Sequence, residues 1–264
     1  MKNVSVTESE KTELVQFIQS LADDARVILS DIGSNIQADA KVDKSLVTAA
    51  DVEIEKRCRE RIEQVFPQHG IIGEEYGVSN PGASFCWVLD PIDGTEEFVA
   101  GTPLFGSIMA LHLDGRPLVA LIDHAALDRR LLACKGAGVS INNKPLVKPS
   151  RAYPKPRVAT SNCANFMRQG DESAVFESLH LNFPNSRIYS SCYAHSCTVE
   201  GGFDAMVEWN VKLWDLAATE LLIVESGGKY VEVTSPEAAK NDRISAVFGS
   251  SHVVDHLCRV IEAA

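Results

Sequence analysis

The chain has 264 residues, of which 45% are hydrophobic and 23% charged, an ordinary composition for a globular protein with one large domain or two small ones. Its 25 basic and 36 acidic residues give a formal net charge of −11. This charge argues against nonspecific binding to nucleic acid or to acidic membranes, because both need a basic surface. We therefore expect no nucleic-acid partner and no membrane partner.

The sequence also contains no stretch that is long and apolar enough to span a bilayer, and no apolar signal-peptide core follows Met1. The seven cysteines are an odd number and are scattered, which predicts reduced thiols in a cytoplasmic protein. Cys192, His195 and Cys197 lie close together, but they lack a second ligand pair at the spacing of a zinc site. We interpret His195 as a helix residue that packs locally.

The N-terminal part begins with a predicted helix over residues 8–30, where apolar side chains recur at helical spacing. Residues 33–44 are polar and aperiodic, which predicts an irregular loop. Thr48 and Asp51 then match a capping box, so a second helix is expected to begin there and to end before Pro67.

Short apolar runs follow that predict strands. Residues 71–74 and 85–89 are predicted to be buried strands that deliver carboxylates at their C-terminal ends. Residues 107–113 and 118–123 predict a hairpin.

Residues 145–156 are rich in proline and basic residues and show little periodicity, which predicts a subdomain boundary. We expect an α+β subdomain over residues 1–148 and an α/β subdomain over residues 149–264. A helix is predicted over residues 216–225, stopped by Gly227-Gly228. Strands are predicted at residues 158–161, 187–190, 205–208, 230–233 and 246–249.

The carboxylates that suggest chemistry form three short clusters: Gly73-Glu74-Glu75, residues 90–95 with the sequence DPIDGT, and Trp214-Asp215. Hard divalent cations prefer oxygen ligands, and magnesium typically takes one or two carboxylates together with water and substrate phosphate. Adjacent strand residues point to opposite faces, so only one side chain of the glutamate pair is expected to reach a metal, and we choose Glu74.

The middle cluster combines a cation site with an anion site. Asp90 and Asp93 can face one point together with the Ile92 carbonyl oxygen. Gly94 lets the backbone approach a ligand closely, and Thr95 offers a hydroxyl. A helix that begins here directs free N–H groups and its positive dipole at an anion such as phosphate.

These motifs resemble the inositol monophosphatase family. Residues 90–98 (DPIDGTEEF) resemble its first signature, and residues 214–218 with 225–228 (WDLAA and ESGG) resemble its second. The family's glutamate motif is similar to residues 73–75, and its early helix motif is similar to residues 47–51 (VTAAD). The four matches occur in the family's order. The resemblance implies the layered αβαβα sandwich of the inositol monophosphatase and fructose-1,6-bisphosphatase type, a homodimer, and two or three Mg²⁺ ions per subunit.

The resemblance also implies roles for the metal ligands. Glu74, Asp90 and the Ile92 carbonyl oxygen resemble the ligands of an activating metal, and a third, weaker ion also uses Glu74. Asp90, Asp93 and Asp215 resemble the ligands of a second metal beside the ester oxygen. One metal would lower the pKa of the attacking water, and the other would stabilise the leaving alkoxide.

Further implied roles concern the water and the phosphate. Gly94 and Thr95, with Asp93 and Asp215, resemble the phosphate-binding residues. Thr95 and Glu74 resemble the groups that orient the attacking water, and Asp51 resembles the aspartate that hydrogen-bonds Thr95. The implied catalytic residues are therefore Glu74, Thr95, Asp51 and Asp93.

The substrate is less closely defined. Residues 101–106 (GTPLFG) and 192–194 (CYA) look like the histidinol-phosphate phosphatase branch of the family. Glu208 is similar to the residue that meets the part of the substrate beyond the phosphate, and Ser190 and Ser191 resemble the neighbouring substrate loop. An acidic group suits the ammonium of histidinol as well as the hydroxyls of a polyol. Ser45 and Glu97 depart from the inositol phosphatases, which typically have aspartate and asparagine there.

The resulting hypothesis is a Mg²⁺-dependent phosphomonoesterase that hydrolyses histidinol phosphate or inositol monophosphate by metal-activated water. Two alternatives remain open from the sequence. One is a 3′(2′),5′-bisphosphate nucleotidase-like phosphatase, because residues 95–98 (TEEF) echo that branch. The other is a non-catalytic homologue that binds a partner.

Overall fold

The computed structural model describes residues 6–32, 38–41, 46–150, 155–167, 172–189 and 191–264. Within these ranges the α-helices are α1 (Glu8–Ile32), α2 (Ala49–Val65), α3 (Thr95–Val99), α4 (Cys163–Met167), α5 (Ser173–Asn182), α6 (Cys192–Val199), α7 (Leu213–Leu216), α8 (Thr219–Glu225), α9 (Pro236–Lys240) and α10 (Ser251–Glu262). A short 3₁₀ helix spans Ala125–Leu127.

The strands form three sheets. The small N-terminal sheet pairs β1 (Ala38–Ala40) with β2 (Leu46–Thr48). The large sheet contains β3 (Gly70–Gly73), β4 (Gly77–Ser79), β5 (Phe85–Asp93), β6 (Gly106–Leu113), β7 (Arg116–His124), β8 (Arg129–Cys134), β9 (Val139–Ile141) and β10 (Lys144–Pro145). The third sheet contains β11 (Val158–Thr160), β12 (Arg187–Ile188), β13 (Ala205–Val211), β14 (Lys229–Glu232) and β15 (Ile244–Gly249).

Both larger sheets are mixed. The eight-stranded sheet has the order β10-β9-β8-β7-β6-β5-β3-β4, and only its β3–β5 pair is parallel among the described pairs. The five-stranded sheet has the order β12-β11-β13-β15-β14, with parallel pairing on both sides of β11. The strands of the large sheet all lie in residues 70–145, and those of the five-stranded sheet lie in residues 158–249. Each of the two sheets is thus built from one continuous part of the chain.

The side chains of β5 show how the layers stack. Trp87 and Leu89 pack with α1 and α2 on one face of the large sheet, whereas Val88 packs on the other face with α6, α8 and the third sheet. This alternation is the period-two pattern of a strand buried on both faces. Phe248 of β15 faces the central helices, and its neighbour Val247 faces α5 and α10. The layers are thus α, β, α, β and α, which confirms the predicted sandwich.

Several predicted elements are confirmed with small shifts. Thr48 and Asp51 form the predicted capping box, and α2 ends at Val65, before Pro67. The hairpin of β6 and β7 is present, and its turn is the pair Asp114-Gly115, both with positive φ. Two residues with positive φ form the turn that matches the twist of a hairpin, which is why glycine stands second.

Three predictions about elements need correction. The helix expected over residues 216–225 is two helices, α7 and α8, with Ala217 and Ala218 between them. The strand expected at 187–190 is only Arg187–Ile188, although the Tyr189 backbone N–H still donates to the Thr160 carbonyl oxygen of β11 at 3.1 Å, and Ser190 lies outside the described residues. In the segment 33–44, residues 38–40 form β1 instead of loop, while 33–37 and 42–44 lie outside the described residues.

A buried ion pair connects α1 to the large sheet. Asp123 of β7 is only 2% exposed, and it accepts hydrogen bonds from Arg26 Nε at 2.7 Å and from Arg130 Nε at 3.1 Å. Two guanidinium partners satisfy the oxygens of a carboxylate that burial would otherwise destabilise. The pair therefore sets the position of the first helix on the sheet.

In the described part of the chain, no helix combines the length and the apolar character needed to cross a bilayer.

We expect Leu21→Ala to lower the free energy of unfolding by about 2–5 kcal/mol, because the Leu21 side chain of α1 is fully buried against α2 and the sheet. Val27 of the same helix is 59% exposed, so Val27→Ala should change the value by no more than about 0.5 kcal/mol. Urea denaturation followed by circular dichroism measures both. Equal effects of the two substitutions would contradict the packing of α1 described above.

Candidate active site

A bulge in β5 shapes the middle carboxylate cluster. Asp90 pairs with Ile108 and Asp93 with Gly106, so three steps along β5 match two along β6. Pro91 lies in this bulge, where its missing N–H breaks no ladder. Asp90 was predicted at the end of a strand, but it lies inside β5 and is 1% exposed. The bulge, and not a strand end, brings the Asp90 and Asp93 carboxylates close together.

Glu74 and Glu75 lie in the turn after β3, not in the strand as expected. Both carboxylates reach the same ammonium group, with Oε1 of each 2.7 Å from Lys41 Nζ. The rule that adjacent side chains face opposite ways therefore does not apply here, although only Glu74 is among the described residues that line the cleft. Burial, together with the charge of Glu74, raises the pKa of Glu75 to about 7.

Glu55 of α2 holds the backbone of the turn that contains Glu74 and Glu75. Its fully buried carboxylate accepts hydrogen bonds from the backbone N–H groups of Glu75 at 2.7 Å and Tyr76 at 3.1 Å. Gly73 makes this approach possible, because a Cβ added there would lie 2.1 Å from Glu55 Oε1. The glycine of the Gly-Glu-Glu motif thus leaves room for the carboxylate that positions the two glutamates.

Asp215 reaches the site from a distant part of the chain. It lies in the first turn of α7, where its Oδ2 accepts a hydrogen bond from the Lys212 backbone N–H at 2.7 Å. One oxygen of each of Asp90, Asp93 and Asp215 lies within 4.8 Å of the other two. The first two residues flank the bulge, three positions apart, whereas the third is more than a hundred positions away in the chain.

The electrostatics of this cluster are those of carboxylates that need a cation. Burial and the charges of Glu74, Asp93 and Asp215 raise the pKa of Asp90 well above its usual range. Burial raises the pKa of Asp93 to about 6, and burial with the Asp93 charge raises the pKa of Asp215 strongly. Asp90 Oδ1 is buried and has no hydrogen-bond partner among the described residues. Like charges in a desolvated site favour protonation unless a metal neutralises them.

The residues present fit magnesium. The cluster supplies hard carboxylate oxygens only, which suit Mg²⁺ rather than a soft metal. The unpartnered Asp90 oxygen points to a ligand outside the protein. The Ile92 carbonyl oxygen accepts a hydrogen bond from the Thr95 hydroxyl at 3.0 Å, so this predicted ligand already has one partner.

Gly94 and Thr95 begin α3, as the sequence predicts. Gly94 has φ 88° and precedes the first helical residue, a conformation that glycine adopts without strain. The predicted hydrogen bond between Asp51 and Thr95 is not made. Asp51 Oδ2 accepts from the Thr48 backbone N–H at 2.8 Å, and its Oδ1 is buried with no partner in the described structure. The capping box uses one oxygen, and the Thr95 hydroxyl turns to Ile92.

A cleft of about 550 Å³ opens over these residues. Its acidic lining residues are Glu74, Asp93, Glu96, Glu97, Glu208 and Asp215. Its apolar wall is formed by Leu104, Ile188, Tyr189 and Val211. No lysine or arginine is among the lining residues in the part of the chain that the structure describes. We call the part of the cleft around Glu208 and His195 its far end. This acidic lining suits a substrate that is neutral there, or one that has a positive group away from its phosphate.

The far end contains Glu208, which the sequence indicated, and His195, which it did not. Glu208 was expected at a strand end but lies in the middle of β13 and is 3% exposed. Its oxygens accept hydrogen bonds from the Ser161 hydroxyl and from His195 Nε2, the latter at 2.9 Å. His195 is helical and buried, as expected, but it also lines the cleft.

Of the two predicted substrate-loop serines, only Ser191 is described. It lines the cleft, has φ 77°, and donates a hydrogen bond from its hydroxyl to the Leu104 carbonyl oxygen at 3.2 Å. The predicted Ser190 lies outside the described residues. Asn162 and Asn165 also line the cleft, and sequence patterns did not identify them because nothing in the local spacing sets them apart.

Known proteins resemble the chain over most of its length. The sequence profile described as "Inositol monophosphatase family" matches residues 10–258. A histidinol-phosphatase of Mycobacterium tuberculosis is 31% identical over 201 residues, covering 74% of this chain and 77% of that protein. The chloroplastic bifunctional phosphatase IMPL2 of Arabidopsis thaliana is 31% identical over 264 residues, covering 96% and 75%. The structure of an inositol monophosphatase from Zymomonas mobilis aligns with a TM-score of 0.78 at 26% identity, covering 95% and 98%.

The raised pKa of Asp93 predicts the sign of a pH effect on the metal-free protein. Its folded value of about 6 exceeds the ordinary 3.8, so ionised Asp93 destabilises the fold above pH 6, and this loss fades as the pH falls from 6 towards 3.8. We expect Asp93→Asn to raise the urea midpoint in EDTA at about pH 7.5, with the gain shrinking at about pH 4.5.

The asparagine oxygen can still accept the hydrogen bond that Asp93 receives from the Cys192 backbone N–H, which makes it a suitable replacement. Added Mg²⁺ should then stabilise the unsubstituted protein more than the variant, because a ligand stabilises the state that binds it. The repulsion at Asp93 would be refuted if the variant were less stable than the unsubstituted protein in EDTA at the higher pH. It would also be refuted if Mg²⁺ stabilised the two proteins equally.

Proposed function

Since the chain belongs to the inositol monophosphatase family, whose members are phosphatases, we propose that it hydrolyses a small polar phosphate monoester in a Mg²⁺-dependent reaction. The observation that carries this proposal is the convergence of Asp90, Asp93 and Asp215 on one point, of which Asp93 and Asp215 line the cleft. Magnesium dependence is general in the family.

The proposed metal ligands are Glu74, Asp90, the Ile92 carbonyl oxygen, Asp93 and Asp215, which would hold two or three ions. Magnesium bound there would supply the positive charge that activates a water nucleophile and stabilises the leaving oxygen. Lys41 now neutralises Glu74, so it would have to give up this ion pair where Glu74 binds metal. The salt bridge and a Glu74-bound ion are thus alternatives.

The phosphate is proposed to lie against the start of α3. No side-chain hydrogen bond caps the start of α3 at Gly94, so the backbone N–H groups of Gly94 and Thr95 would donate to phosphate oxygens. Asp93 and Asp215 would approach the phosphate through metal. Preorganised donors of this kind stabilise charge that develops in the transition state.

Glu74 and Thr95 are proposed to orient the attacking water, each as a hydrogen-bond acceptor. The Thr95 hydroxyl donates to Ile92, which leaves its oxygen lone pairs available to a water. We propose that Asp51, which is 1% exposed at the start of α2, is a positioning residue. Its role would be exerted through Thr48 and the approach of α2 to the site.

For the substrate we propose histidinol phosphate, with inositol monophosphate as the second candidate. Glu208 offers a carboxylate at the far end of the cleft, and the apolar wall of Ile188 and Tyr189 suits a flat ring. The relatives named histidinol-phosphatase support this order. Asn162 and Asn165 supply amide groups that suit a polyol equally. A bisphosphate suits the cleft less well, because its second phosphate would face Glu208 with no basic partner among the described lining residues.

We also propose that the chain has two subdomains divided after residue 148, is cytoplasmic, and forms a homodimer. The large sheet lies in residues 70–145 and the five-stranded sheet in residues 158–249, which supports the division. The seven free cysteines agree with a reducing compartment. Catalysis would then need both subdomains, because Asp215 belongs to the second and the other proposed carboxylate ligands to the first.

Phosphate release from a substrate panel tests the function. The panel contains histidinol phosphate, inositol 1-phosphate, fructose 1,6-bisphosphate and adenosine 3′,5′-bisphosphate, each with Mg²⁺ and with EDTA. We expect turnover only with Mg²⁺, and kcat/KM for the first two at least about tenfold above the bisphosphates. Asp93→Asn should lower kcat by about 100- to 1000-fold without unfolding the protein. No turnover of any ester by folded protein would leave the non-catalytic alternative.

Glu208→Gln tests the proposed substrate contact. Loss of the negative charge should reduce kcat/KM for histidinol phosphate by at least about tenfold more than for 4-nitrophenyl phosphate, which has no ammonium group. Glu97→Gln is a matched control, because Glu97 also lines the cleft but lies beside Gly94, where the phosphate is proposed to bind. Equal losses on both esters would remove Glu208 from substrate selection.

A further inference from the structure

His195 lies in a chain of hydrogen bonds that ends at Glu208. The Thr219 hydroxyl lies 3.0 Å from His195 Nδ1, and His195 Nε2 lies 2.9 Å from Glu208 Oε2. On the other side, the Trp209 backbone N–H donates to Ser161 Oγ at 2.8 Å, and the Ser161 hydroxyl donates to Glu208 Oε1. Two arms of the chain thus meet at one carboxylate.

The chemistry of the partners sets the direction of both arms. An ionised carboxylate only accepts hydrogen bonds, so His195 Nε2 must carry the hydrogen that lies between them. In the neutral ring Nδ1 is then an acceptor, and the Thr219 hydroxyl donates to it. The backbone N–H of Trp209 likewise occupies the Ser161 oxygen and leaves the hydroxyl hydrogen for Glu208. Every donor therefore points towards Glu208.

The ring of His195 is also fixed by packing. It meets the ring of Phe248 edge to face, with centroids 5.2 Å apart, and His195 is 1% exposed. A ring held by packing and by hydrogen bonds at both nitrogens has little freedom to turn, so it presents Nε2–H in one direction. Glu208 is correspondingly held in one orientation, with its remaining lone pairs available to a ligand in the cleft.

The helix that carries His195 also contacts the metal-ligand cluster. The backbone N–H of Cys192, the first residue of α6, donates to Asp93 Oδ2. His195 follows three positions later, so both residues lie on one face of α6. A rigid turn of helix therefore connects a carboxylate of the metal cluster with the carboxylate at the far end of the cleft. This arrangement sets the distance between the two ends of a bound substrate.

We propose that His195 is a specificity-determining residue that positions Glu208 to accept a hydrogen bond from the ammonium group of a phosphate ester. The inference rests on the proposed phosphatase function and deepens it, because it selects amino-alcohol phosphates over polyol phosphates. A carboxylate held by two donors stays an acceptor, and the described lining residues include no lysine or arginine that would compete with the ligand's ammonium. Thr219 acts behind His195 by holding its Nδ1.

Steady-state kinetics with Mg²⁺ on histidinol phosphate, inositol 1-phosphate and 4-nitrophenyl phosphate test the proposal. In His195→Phe, which keeps the contact with Phe248 but loses the donor, the fall in kcat/KM should be at least about tenfold larger for histidinol phosphate than for 4-nitrophenyl phosphate. The change should appear mainly in KM, because the ammonium lies away from the reacting phosphate. His195→Gln, whose amide nitrogen can replace Nε2 as donor, should recover most of the loss.

Two further variants keep the test independent of folding. Thr219→Val retains the shape of the side chain and should shift selectivity in the same direction by a smaller factor. His180→Phe is the matched control: His180 lies in α5 with its ring against Phe176, and all three esters should be unaffected. Equal losses of His195→Phe on all esters, or a His195→Gln variant no better than the phenylalanine one, would overturn the proposal.

The outcomes separate this inference from the function on which it rests. If the unsubstituted protein releases phosphate from none of the three esters with Mg²⁺, the proposed function fails. If it hydrolyses inositol 1-phosphate and 4-nitrophenyl phosphate but not histidinol phosphate, the function stands and the assignment of an ammonium-bearing substrate is wrong. Selective loss on histidinol phosphate in His195→Phe, with recovery in His195→Gln, supports both.

Discussion

The repulsion among the clustered carboxylates of the candidate active site is the constraint on which the rest of the site depends. Asp90, Asp93 and Asp215 place oxygens within 4.8 Å of one another, with Glu74 close enough to raise the pKa of Asp90. Each of these charges is favourable only in the presence of a cation, since burial in a medium of low dielectric strengthens repulsion. Lys41 supplies a positive charge beside this cluster, and it pairs with Glu74 rather than with the three aspartates. The fold therefore maintains an arrangement that becomes stable when divalent cations bind.

Three separate devices hold these like charges together. The bulge at Pro91 turns two positions of β5 towards one point. The buried Glu55 carboxylate holds the backbone of the Glu74–Glu75 turn. Backbone N–H groups bind one oxygen of Asp93 and one of Asp215, leaving the other oxygens for ligands. Each device uses hydrogen bonds that persist without metal, so the site is preorganised and little reorganisation is needed when charge develops on the substrate.

The sequence predicted the parts of the site that local chemistry determines. Thr48 and Asp51 could be identified as a capping box because the two residues are three positions apart, and the helix start at Gly94 because glycine and an acidic motif adjoin it. The bulge was not predicted, because a one-residue slip depends on the neighbouring strand β6. The partners of His195 were not predicted either. They are 13 and 24 positions away, and helical periodicity describes which face of a helix is buried, not what that face meets.

The residues proposed for the reaction and those proposed for substrate selectivity are positioned in different ways. The groups proposed for the reaction come largely from short motifs in which neighbouring residues determine one another's geometry. The group proposed for selection, Glu208, obtains its orientation from side chains of β13, α6, α8 and the segment after β11, which meet only in the folded chain. A substitution at His195 would therefore alter the far end of the cleft while leaving the bulge and the Glu74–Glu75 turn intact. Helix α6 donates hydrogen bonds to both Asp93 and Glu208, so a change in the position of this helix would couple the two ends of the cleft.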